Sequence, residues 1–468
     1  MIDLISERVG GEIVACNDEF FAEAVNLIKT GDPVWKEDLY TDRGKWMDGW
    51  ETRRRREPGH DWCVIALGIP GLVRKVTVDT SFFTGNFPEE FSLDVSPGND
   101  IWSELIPRTA LQGDTKATFE VEAPNRVVAV RLNIYPDGGV ARLRVEGDPI
   151  PSMQIVCPDG PADLIDARLG GEWLQASDYH YSPPSNLLLP TDSAGMWDGW
   201  ETRRRRGPGQ DWATFRLGLP GVVESLVVDT THFKGNCPGW VSADLSEDGE
   251  KWVATVAEID VRPDAINRVE IAEPTHASYV RLSLHPDGGV ARFRVLGRPD
   301  RDAAGALRLR YLNSLFEEAA RGFFFTTCVA KAWVEEMVHG RPYESIDAVL
   351  EHAEMVFDTL QEDDWLQAFA GHPRIGERGG ETENREQAGT ASASREVLRE
   401  LVDVNRRYEE KFEFTYIVYA TGKTASEMLA IAKERLANDR ASEIAAAAVE
   451  QRKITRTRLR RMLCQEVS

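Results

Sequence analysis

Four consecutive arginines stand among carboxylates at two places in the chain. The sequence DGWETRRRREPGHDW occupies residues 48–62, and thirteen of its fifteen residues recur at 198–212, a constant offset of 150. Adjacent guanidinium groups repel one another unless anions lie close by. The anions can be carboxylates of the protein or the carboxylate of a bound substrate, which an arginine contacts with two parallel hydrogen bonds. We call each copy of this sequence the arginine motif.

The residues of the arginine motif supply both a clamp for an anion and an acid or base. In an extended segment alternate side chains share a face, so Arg53 and Arg55 would lie together, opposite Arg54 and Arg56. Pairing of any one of these arginines with a local carboxylate is as good an interpretation as binding of substrate. The candidates for substrate binding are Arg53, Arg55, Asp48, Glu51 and Asp61, with Arg203, Arg205, Asp198, Glu201 and Asp211 in the second copy. The tryptophans of the motif are interpreted as core anchors.

The offset of 150 extends beyond the arginine motif and predicts an internal repeat. It relates VDT at 78–80 to 228–230, GNxP at 85–88 to 235–238, and PDGGVAR at 136–142 to 286–292. Upstream, RVGGEI and RLGGEW match at an offset of 160, so the first copy carries about ten extra residues between Asp18 and Asp48, which we expect to form a surface loop. The two copies share no histidine, which favours carboxylates and arginines over a histidine-ligated metal. The need for a metal stays open.

Composition restricts the partners. The chain has 468 residues with 55 basic and 77 acidic side chains, a net charge of -22, which argues against nucleic acid and anionic membranes. The six cysteines form no CxxC pair, and no apolar run approaches the length of a membrane helix. We therefore expect a soluble, cytoplasmic protein.

The hydrophobic pattern predicts three domains. Short alternating runs such as VVAVRLNIY, separated by turn sequences such as PDGG, predict antiparallel β sandwiches of the jelly-roll type at 1–150 and 151–300. The glycines of PDGG are typical of tight hairpins. A helical pattern begins near 303 and continues to 468, with a helical stripe in 394–412 and a capping box at Thr424. The polar segment 297–305 is interpreted as the linker.

The helical part has its own chemical signal. GHPRIGE at 371–377 places His372 before a proline, and REQAG follows at 385–389. A histidine titrates near neutral pH, and a glutamate with a glutamine offers an acceptor and an amide to a polar heterocycle. The alternative is that His372 only ends a helix.

The repeated half resembles allantoicase, which hydrolyses allantoate to ureidoglycolate and urea. The resemblance covers about residues 5–298 and rests on the duplicated arginine motif, on ACNDEFFA at 15–22 and on PDGGVAR. It implies a guanidinium clamp for the substrate carboxylate and an acid or base that assists the departure of urea.

The helical half resembles OHCU decarboxylase, where OHCU is 2-oxo-4-hydroxy-4-carboxy-5-ureidoimidazoline. HPRIG, REQAG, YEEKFEFTYIV, ERLANDRASE and KITRTRLRRML occur in order over about 306–463. The resemblance implies decarboxylation to (S)-allantoin without a cofactor, a catalytic pair His372 and Glu386, and substrate contacts from Pro373, Gln387 and Arg458. Glu383 stands where the family usually has serine, so a degenerate scaffold is one alternative.

The sequence thus predicts a bifunctional enzyme of purine breakdown acting on small ureido compounds. The rival hypothesis makes the β half a non-catalytic binding module. Amphipathic helical faces suggest a homo-oligomer. Because ring opening of allantoin lies between the two reactions, the fusion is expected either to set co-expression or to recruit an allantoinase.

Overall fold

A computed structural model describes residues 1–156, 158, 160–374 and 394–463. The chain forms two compact units, Met1–Ser314 and Leu315–Ser468. The first contains the predicted pair of antiparallel β sandwiches, and the second is helical. Among the helices that are described, none combines the length and apolar content that crossing a bilayer requires.

The first repeat is a sandwich of twelve strands, which are 2 to 19 residues long. They are β1 Ile2–Asp3, β2 Glu12–Cys16, β3 Tyr40–Thr41, β4 Gly44–Lys45, β5 Trp50–Glu51, β6 Asp61–Asp79, β7 Glu90–Gly98, β8 Ile101–Ala110, β9 Lys116–Glu120, β10 Val127–Tyr135, β11 Gly139–Val140 and β12 Arg142–Pro149.

The long strand β6 belongs to both layers of this sandwich. Its first part pairs with β2 and β10, and its last part pairs with β9 and β12, all antiparallel. Alternate side chains of β6 are buried, as the sequence pattern predicts for a strand with one face in a core. Between these two parts the strand makes a close backbone contact, since a Cβ on Gly68 would lie 2.3 Å from the carbonyl oxygen of Val9.

The second repeat copies this plan. Its elements are α1 Met153–Val156, β13 Ala162–Asp163, β14 Glu172–Ala176, β15 Trp200–Glu201, β16 Asp211–Asp229, β17 Trp240–Ser246, β18 Val253–Asp260, β19 Ile266–His285, β20 Gly289–Val290, β21 Arg292–Pro299 and α2 Arg301–Ser314. Strand β16 takes the place of β6, and β19 is continuous where the first repeat has β9 and β10.

Three local predictions have definite outcomes. The extra residues of the first repeat are mostly exposed and contain only the small hairpin β3–β4, as expected for a surface loop. The PDGG turns follow β10 and β19 as predicted, but the hairpin interpretation is wrong, because β11 pairs with β5 and β20 with β15. The linker interpretation of 297–305 is also wrong, since only Asp300 separates β21 from α2.

The second unit is built from helices. Those within its described residues are α3 Glu317–Phe325, α4 Lys331–His339, α5 Ile346–Phe357, α6 Glu362–Ala370, α7 Arg395–Phe412, α8 Ala425–Arg435 and α9 Arg440–Met462. Stacked aromatic rings of Trp333, Phe357 and Trp365 lie in its core. The predicted stripe and capping box are confirmed: α7 buries Leu401, Asn405, Tyr408 and Phe412 with Leu398 half-buried, and Thr424 caps α8 reciprocally with Glu427.

Candidate functional site

The arginine motif of the first repeat is anchored by a buried tryptophan. Trp50 has no exposed surface, and its indole nitrogen donates to the carbonyl oxygen of Asp18 at 2.8 Å. The short strand β5 pairs with β11, which places Glu51 opposite Gly139. The motif and the PDGG turn are therefore held side by side. The interpretation of Trp50 as a core anchor agrees with its complete burial.

The arginines follow β5 in an irregular segment that is fastened to the PDGG turn. The amide of Thr52 donates to the carbonyl oxygen of Gly138 at 3.1 Å, and its hydroxyl accepts from the Gly138 amide at 3.1 Å. The amide of Arg55 donates to a carboxylate oxygen of Asp137 at 2.8 Å. The conformation is thus fixed by hydrogen bonds rather than by a strand ladder.

Arg53 is paired with a carboxylate outside the motif. Its backbone amide and its Nε donate to the two oxygens of Asp18 at 3.0 and 2.6 Å. Burial alone would raise the pKa of Asp18, but these hydrogen bonds and the Arg53 charge hold that pKa below its ordinary value. The carboxylate is therefore ionised, and it orients Arg53 while leaving most of that side chain exposed.

Arg55 is paired with a carboxylate inside the motif. Its Nη1 lies 2.5 Å from Oδ1 of Asp61, which is 1% exposed and also accepts from Asn17 at 2.9 Å. Nε of Arg55 and Oδ2 of Asp61 are buried and have no hydrogen-bond partner among the described residues.

Asp48 lies apart from the arginines of its own motif. It forms an ion pair with Arg142 at 2.8 Å and accepts from the amide of Val34 at 3.0 Å. Burial opposes ionisation, but these partners lower the pKa of Asp48. The carboxylate thus fastens the extra loop to β12.

Glu51 differs from the other carboxylates because its hydrogen-bond partner is neutral. Its Oε1 accepts from the amide of Asn86 at 2.7 Å. Burial raises the pKa of Glu51, and the hydrogen bond from Asn86 offsets only part of that effect. A carboxyl group in this environment holds its proton more firmly than an ordinary glutamate does. It is a suitable proton donor.

A cavity of about 920 Å³ brings these groups together. Glu51 and all four arginines of the motif line it, whereas Asp48 and Asp61 are not among its lining residues. The remaining lining residues are Phe20, Phe21, Thr52, Gly85, Asn86, Phe87, Glu89, Pro136, Asp137 and Gly138. Its walls thus combine aromatic rings, backbone of the PDGG turn and a dense positive charge.

The second repeat reproduces the polar frame. Arg203 binds Asp178 at 2.8 Å, Arg205 pairs with Asp211, and Glu201 accepts from Asn236 at 2.7 Å. Trp200 is fully buried and donates to the carbonyl oxygen of Asp178 at 2.9 Å.

Asp198, the counterpart of Asp48, pairs with Arg292 at 2.7 Å. It also accepts from Arg8 of the first repeat at 2.6 Å, so it lies in the contact between the repeats.

In the helical unit, His372 lies directly after α6 and is half-buried. Its Nε2 is 2.7 Å from Oε1 of Gln451, which is fully buried on α9. Next to the half-buried Pro373, Arg374 forms two hydrogen bonds of 2.8 and 2.7 Å with Glu409 on α7. This fork fixes the HPR segment, and with it the imidazole.

One face of α9 continues the site away from His372. Gln451, Thr455 and Arg458 are spaced by four and three residues, so they share a face of the helix, and all three are buried. The side-chain amide of Gln451 donates to the Thr455 hydroxyl at 3.1 Å. Burial raises the pKa of the neighbouring Cys328 thiol to about 11, although Arg458 and Thr455 act in the opposite direction.

The sequence interpretation missed several of these groups. Asp18, Asn86 and Thr455 lie in the quoted ACNDEFFA, GNxP and KITRTRLRRML motifs, which were signals for them, whereas nothing marked Gln451. The predicted Glu386 and Gln387, and the unusual Glu383, lie outside the described residues. Within the described part of the chain, no group of three or more His, Cys, Asp or Glu side chains could hold a metal ion.

Comparison with known proteins gives two matches along the chain. The model of the allantoicase repeat matches residues 2–150 and 162–300, and the model of OHCU decarboxylase matches residues 313–460.

The relatives of the β half are similar over nearly their whole length. A protein of Pseudomonas paraeruginosa named "Probable allantoicase" is 44% identical over 318 residues, which cover 64% of this chain and 96% of the relative. One of the same name from Acinetobacter baylyi is 40% identical over 317 residues, 64% of this chain and 94% of that relative. The crystal structure of allantoicase from Saccharomyces cerevisiae is 34% identical, with a TM-score of 0.53, and the match covers 64% of this chain and 93% of that one.

Proposed function

The chain belongs to the allantoicase family and carries an OHCU decarboxylase domain after its two repeats, and from that premise we propose that it catalyses two reactions of purine breakdown. The β half hydrolyses allantoate to ureidoglycolate and urea. The helical half decarboxylates OHCU to (S)-allantoin. A non-catalytic β half is not favoured, because the relatives that match the repeats along their length are named as enzymes.

The observation that carries the first activity is the partially buried Glu51 among guanidinium groups in one cavity. Glu51 has a raised pKa and a neutral partner, Asn86, while Arg53 and Arg55 already hold carboxylates of the protein. The cavity therefore offers an acid next to positive charge. These are the two features that a ureido acid with a leaving urea requires.

In the proposed step, Glu51 protonates the nitrogen of the departing urea. The bond between that nitrogen and the central carbon breaks, its electron pair stays with urea, and the remaining ureido nitrogen stabilises the electron-poor carbon. Water then adds its oxygen to this carbon and returns a proton to Glu51. One water is consumed and one urea is released. Glu201 acts in the same way in the second repeat.

Urea release by the intact chain tests the first activity. Allantoate is supplied, and urea and ureidoglycolate are measured together. We expect equal amounts of the two products. Absence of urea from a folded preparation would reject the activity of the β half, regardless of the helical half.

The second activity is supported by the fixed imidazole of His372. OHCU loses carbon dioxide when the bond to its carboxyl carbon breaks, and the electron pair passes into the adjacent ring imine. The substrate is thus its own electron sink, and the OHCU decarboxylase family is cofactor-free. His372, oriented by Gln451, moves the proton to or from the reacting ring, with Glu386 as its catalytic partner. Arg458, Pro373 and Gln387 contact the substrate.

Replacement of His372 tests this role. His372→Asn should lower the decarboxylation rate by about 100-fold or more, and it should reduce the enantiomeric excess of allantoin. Gln451→Leu should lower the decarboxylation rate and the enantiomeric excess by less than His372→Asn does, since it removes only the group that orients the imidazole. Unchanged turnover and unchanged enantiomeric excess in His372→Asn would exclude His372 as the proton carrier.

Assembly and location remain predictions from the sequence. We propose a cytoplasmic homo-oligomer whose ligands are small ureido compounds. An allantoinase would provide the ring-opening step between the two activities. Sedimentation of the intact protein alone and with an allantoinase tests both associations.

A further inference from the structure

The four arginines of each motif fall into two classes by their partners. Arg53 and Arg55 pair with Asp18 and Asp61. Arg54 and Arg56 are exposed, and in the described part of the chain neither forms a hydrogen bond, ion pair or ring contact. Both line the 920 Å³ cavity. The same division separates Arg203 and Arg205 from Arg204 and Arg206.

The paired arginines are poorly suited to bind a substrate. A guanidinium group that already contacts a carboxylate must give up that contact, or share its charge, before it binds a second one. Loss of Arg55 as a partner would leave Asp61 buried with an uncompensated charge. Arg53 and Arg55 therefore build the frame of the cavity.

Among the described residues, Arg54 and Arg56 lack the carboxylate partners that Arg53 and Arg55 have. They place two positive charges at the wall of the same cavity, two residues apart in the sequence. Glu51, the half-buried acid of the same cavity, is hydrogen-bonded to Asn86 instead. An anionic ligand would relieve the repulsion and accept the planar pairs of N–H groups that guanidinium offers.

We infer that Arg54 and Arg56 hold the carboxylate of the substrate in the first repeat, and Arg204 and Arg206 in the second. The inference rests on the proposed allantoicase activity and deepens it. It assigns recognition of the carboxylate to two residues and support to their neighbours, so that specificity for an acid over a neutral ureide resides in alternate positions of the TRRRR sequence.

The test uses the full chain with Glu201→Gln, which leaves only the first repeat with its acid. Arg54→Ala with Arg56→Ala is added, and kcat and KM are measured for allantoate and for its primary carboxamide. We expect KM for allantoate to rise at least about 30-fold, because charge-assisted hydrogen bonds to the carboxylate are lost. KM for the carboxamide should change less than about 2-fold, so the preference for the acid disappears.

Two further variants test whether the effect is specific to Arg54 and Arg56 and whether it requires the planar guanidinium group. Arg262→Ala removes an exposed arginine of the second repeat and should leave both KM values unchanged. Arg54→Lys with Arg56→Lys restores the charge without the planar fork and should recover only part of the affinity. Since both arginines are exposed, the alanine pair should retain the parent's melting temperature.

The outcomes distinguish failure of the clamp from failure of the proposed allantoicase activity. If the parent releases urea but the alanine pair still prefers allantoate over the carboxamide, the clamp is wrong and the activity stands. If the chain without substitutions releases no urea, the allantoicase proposal fails. If only the Glu201→Gln parent releases none, the first repeat is inactive. In either case, calorimetric titration of the parent with allantoate decides the clamp. If allantoate binds the parent but not the alanine pair, the clamp is supported. If allantoate binds both equally, or does not bind the parent, the clamp is wrong.

Discussion

The two β repeats have the same polar frame, but several residues that line the cavity of the first repeat are replaced in the second. Each repeat retains the pairs Arg53–Asp18 and Arg55–Asp61, or Arg203–Asp178 and Arg205–Asp211, and the contact of a glutamate with an asparagine. The aromatic residues Phe20, Phe21 and Phe87 of the first cavity align with His180, Tyr181 and Cys237, and Glu89 aligns with Gly239.

The extra loop accentuates this difference. Arg43, on the turn between β3 and β4, donates to the carbonyl oxygen of Phe20 at 3.0 Å and lies over its ring at 5.3 Å from the centroid. Arg53 lies over the same ring at 5.3 Å. The second repeat has no such loop to support His180. The two copies thus share the groups that could carry out the chemistry and differ in residues that line the cavity of the first repeat.

Loss of both acids should have the largest effect. Glu51→Gln with Glu201→Gln should reduce the rate of urea release by about 100-fold or more, because general acid catalysis contributes factors of this size. The amide keeps the shape and can still bond to the asparagine. Each single variant should retain the activity of the other repeat, and its residual rate measures that repeat's share. Full activity in the double variant would show that the retained frame does not carry the chemistry.

A pH-dependent effect on stability should appear in both repeats. Burial raises the pKa of Asp3 from 3.8 to about 6, and that of the equivalent Asp163 from 3.8 to about 7. Such a group stabilises the fold fully below about pH 4, and this contribution is lost as pH rises through the folded-state pKa. Asp163→Asn should therefore gain stability relative to the parent, by roughly a few kcal/mol, between pH 4 and 7. Asp3→Asn should gain less, over pH 4 to 6.

Urea unfolding at a series of pH values measures this difference. Asp48→Asn serves as the control of opposite sign, because partners lower the pKa of Asp48 and its contribution is lost as pH falls. A stability difference between Asp163→Asn and the parent that does not vary with pH would contradict the prediction.

The cavity walls should produce a smaller effect, confined to affinity. With Glu201→Gln present, Phe20→His and Phe21→Tyr replace two of the four differing wall residues of the first repeat by those of the second. We expect KM for allantoate to shift about 3-fold to 10-fold toward the value of the second repeat, with little change in kcat, since changed wall contacts alter binding more than chemistry. The KM of the second repeat is measured in the Glu51→Gln protein, in which only that repeat keeps its glutamate. Equal KM values for the two single-acid variants would contradict a difference in affinity between the two repeats.

Much of this frame could be predicted from the sequence because it depends on local patterns. Alternation along β6, the helical stripe of α7 and the capping box at Thr424 each reflect neighbours within a few residues. Arg53 and Arg55 do share a kind of partner, but all four arginines line one cavity, so their predicted separation onto opposite faces is not confirmed.

The rest depends on contacts between distant residues. The sequence could not show which pair of arginines is neutralised, because the partner Asp18 lies 35 residues from Arg53. Gln451 and His372 are 79 residues apart, and no motif relates them. The PDGG turn resembles a hairpin locally, but the following residues pair with β5 instead.

The smallest effect should come from the contact between the repeats. Nε and Nη2 of Arg8 donate to Oδ1 of Asp198 at 2.9 and 2.6 Å, and Arg8 is 20% and Asp198 5% exposed. Asp198 keeps Arg292 as a partner when Arg8 is removed, so no buried charge is left alone. Arg8→Ala should therefore lower the free energy of unfolding by only about 1 kcal/mol.

The equivalent arginine of the second repeat supplies the control for that measurement. Arg168 binds Asp166, two residues away, at 2.6 Å, in a contact that stays within its own turn. Arg168→Ala should lower the free energy of unfolding by more than Arg8→Ala does, because it leaves the buried Asp166 without a cationic partner among the described residues. If chemical denaturation gives equal losses, or a larger loss for Arg8→Ala, Arg292 does not compensate Asp198 for the loss of Arg8 and this explanation is wrong.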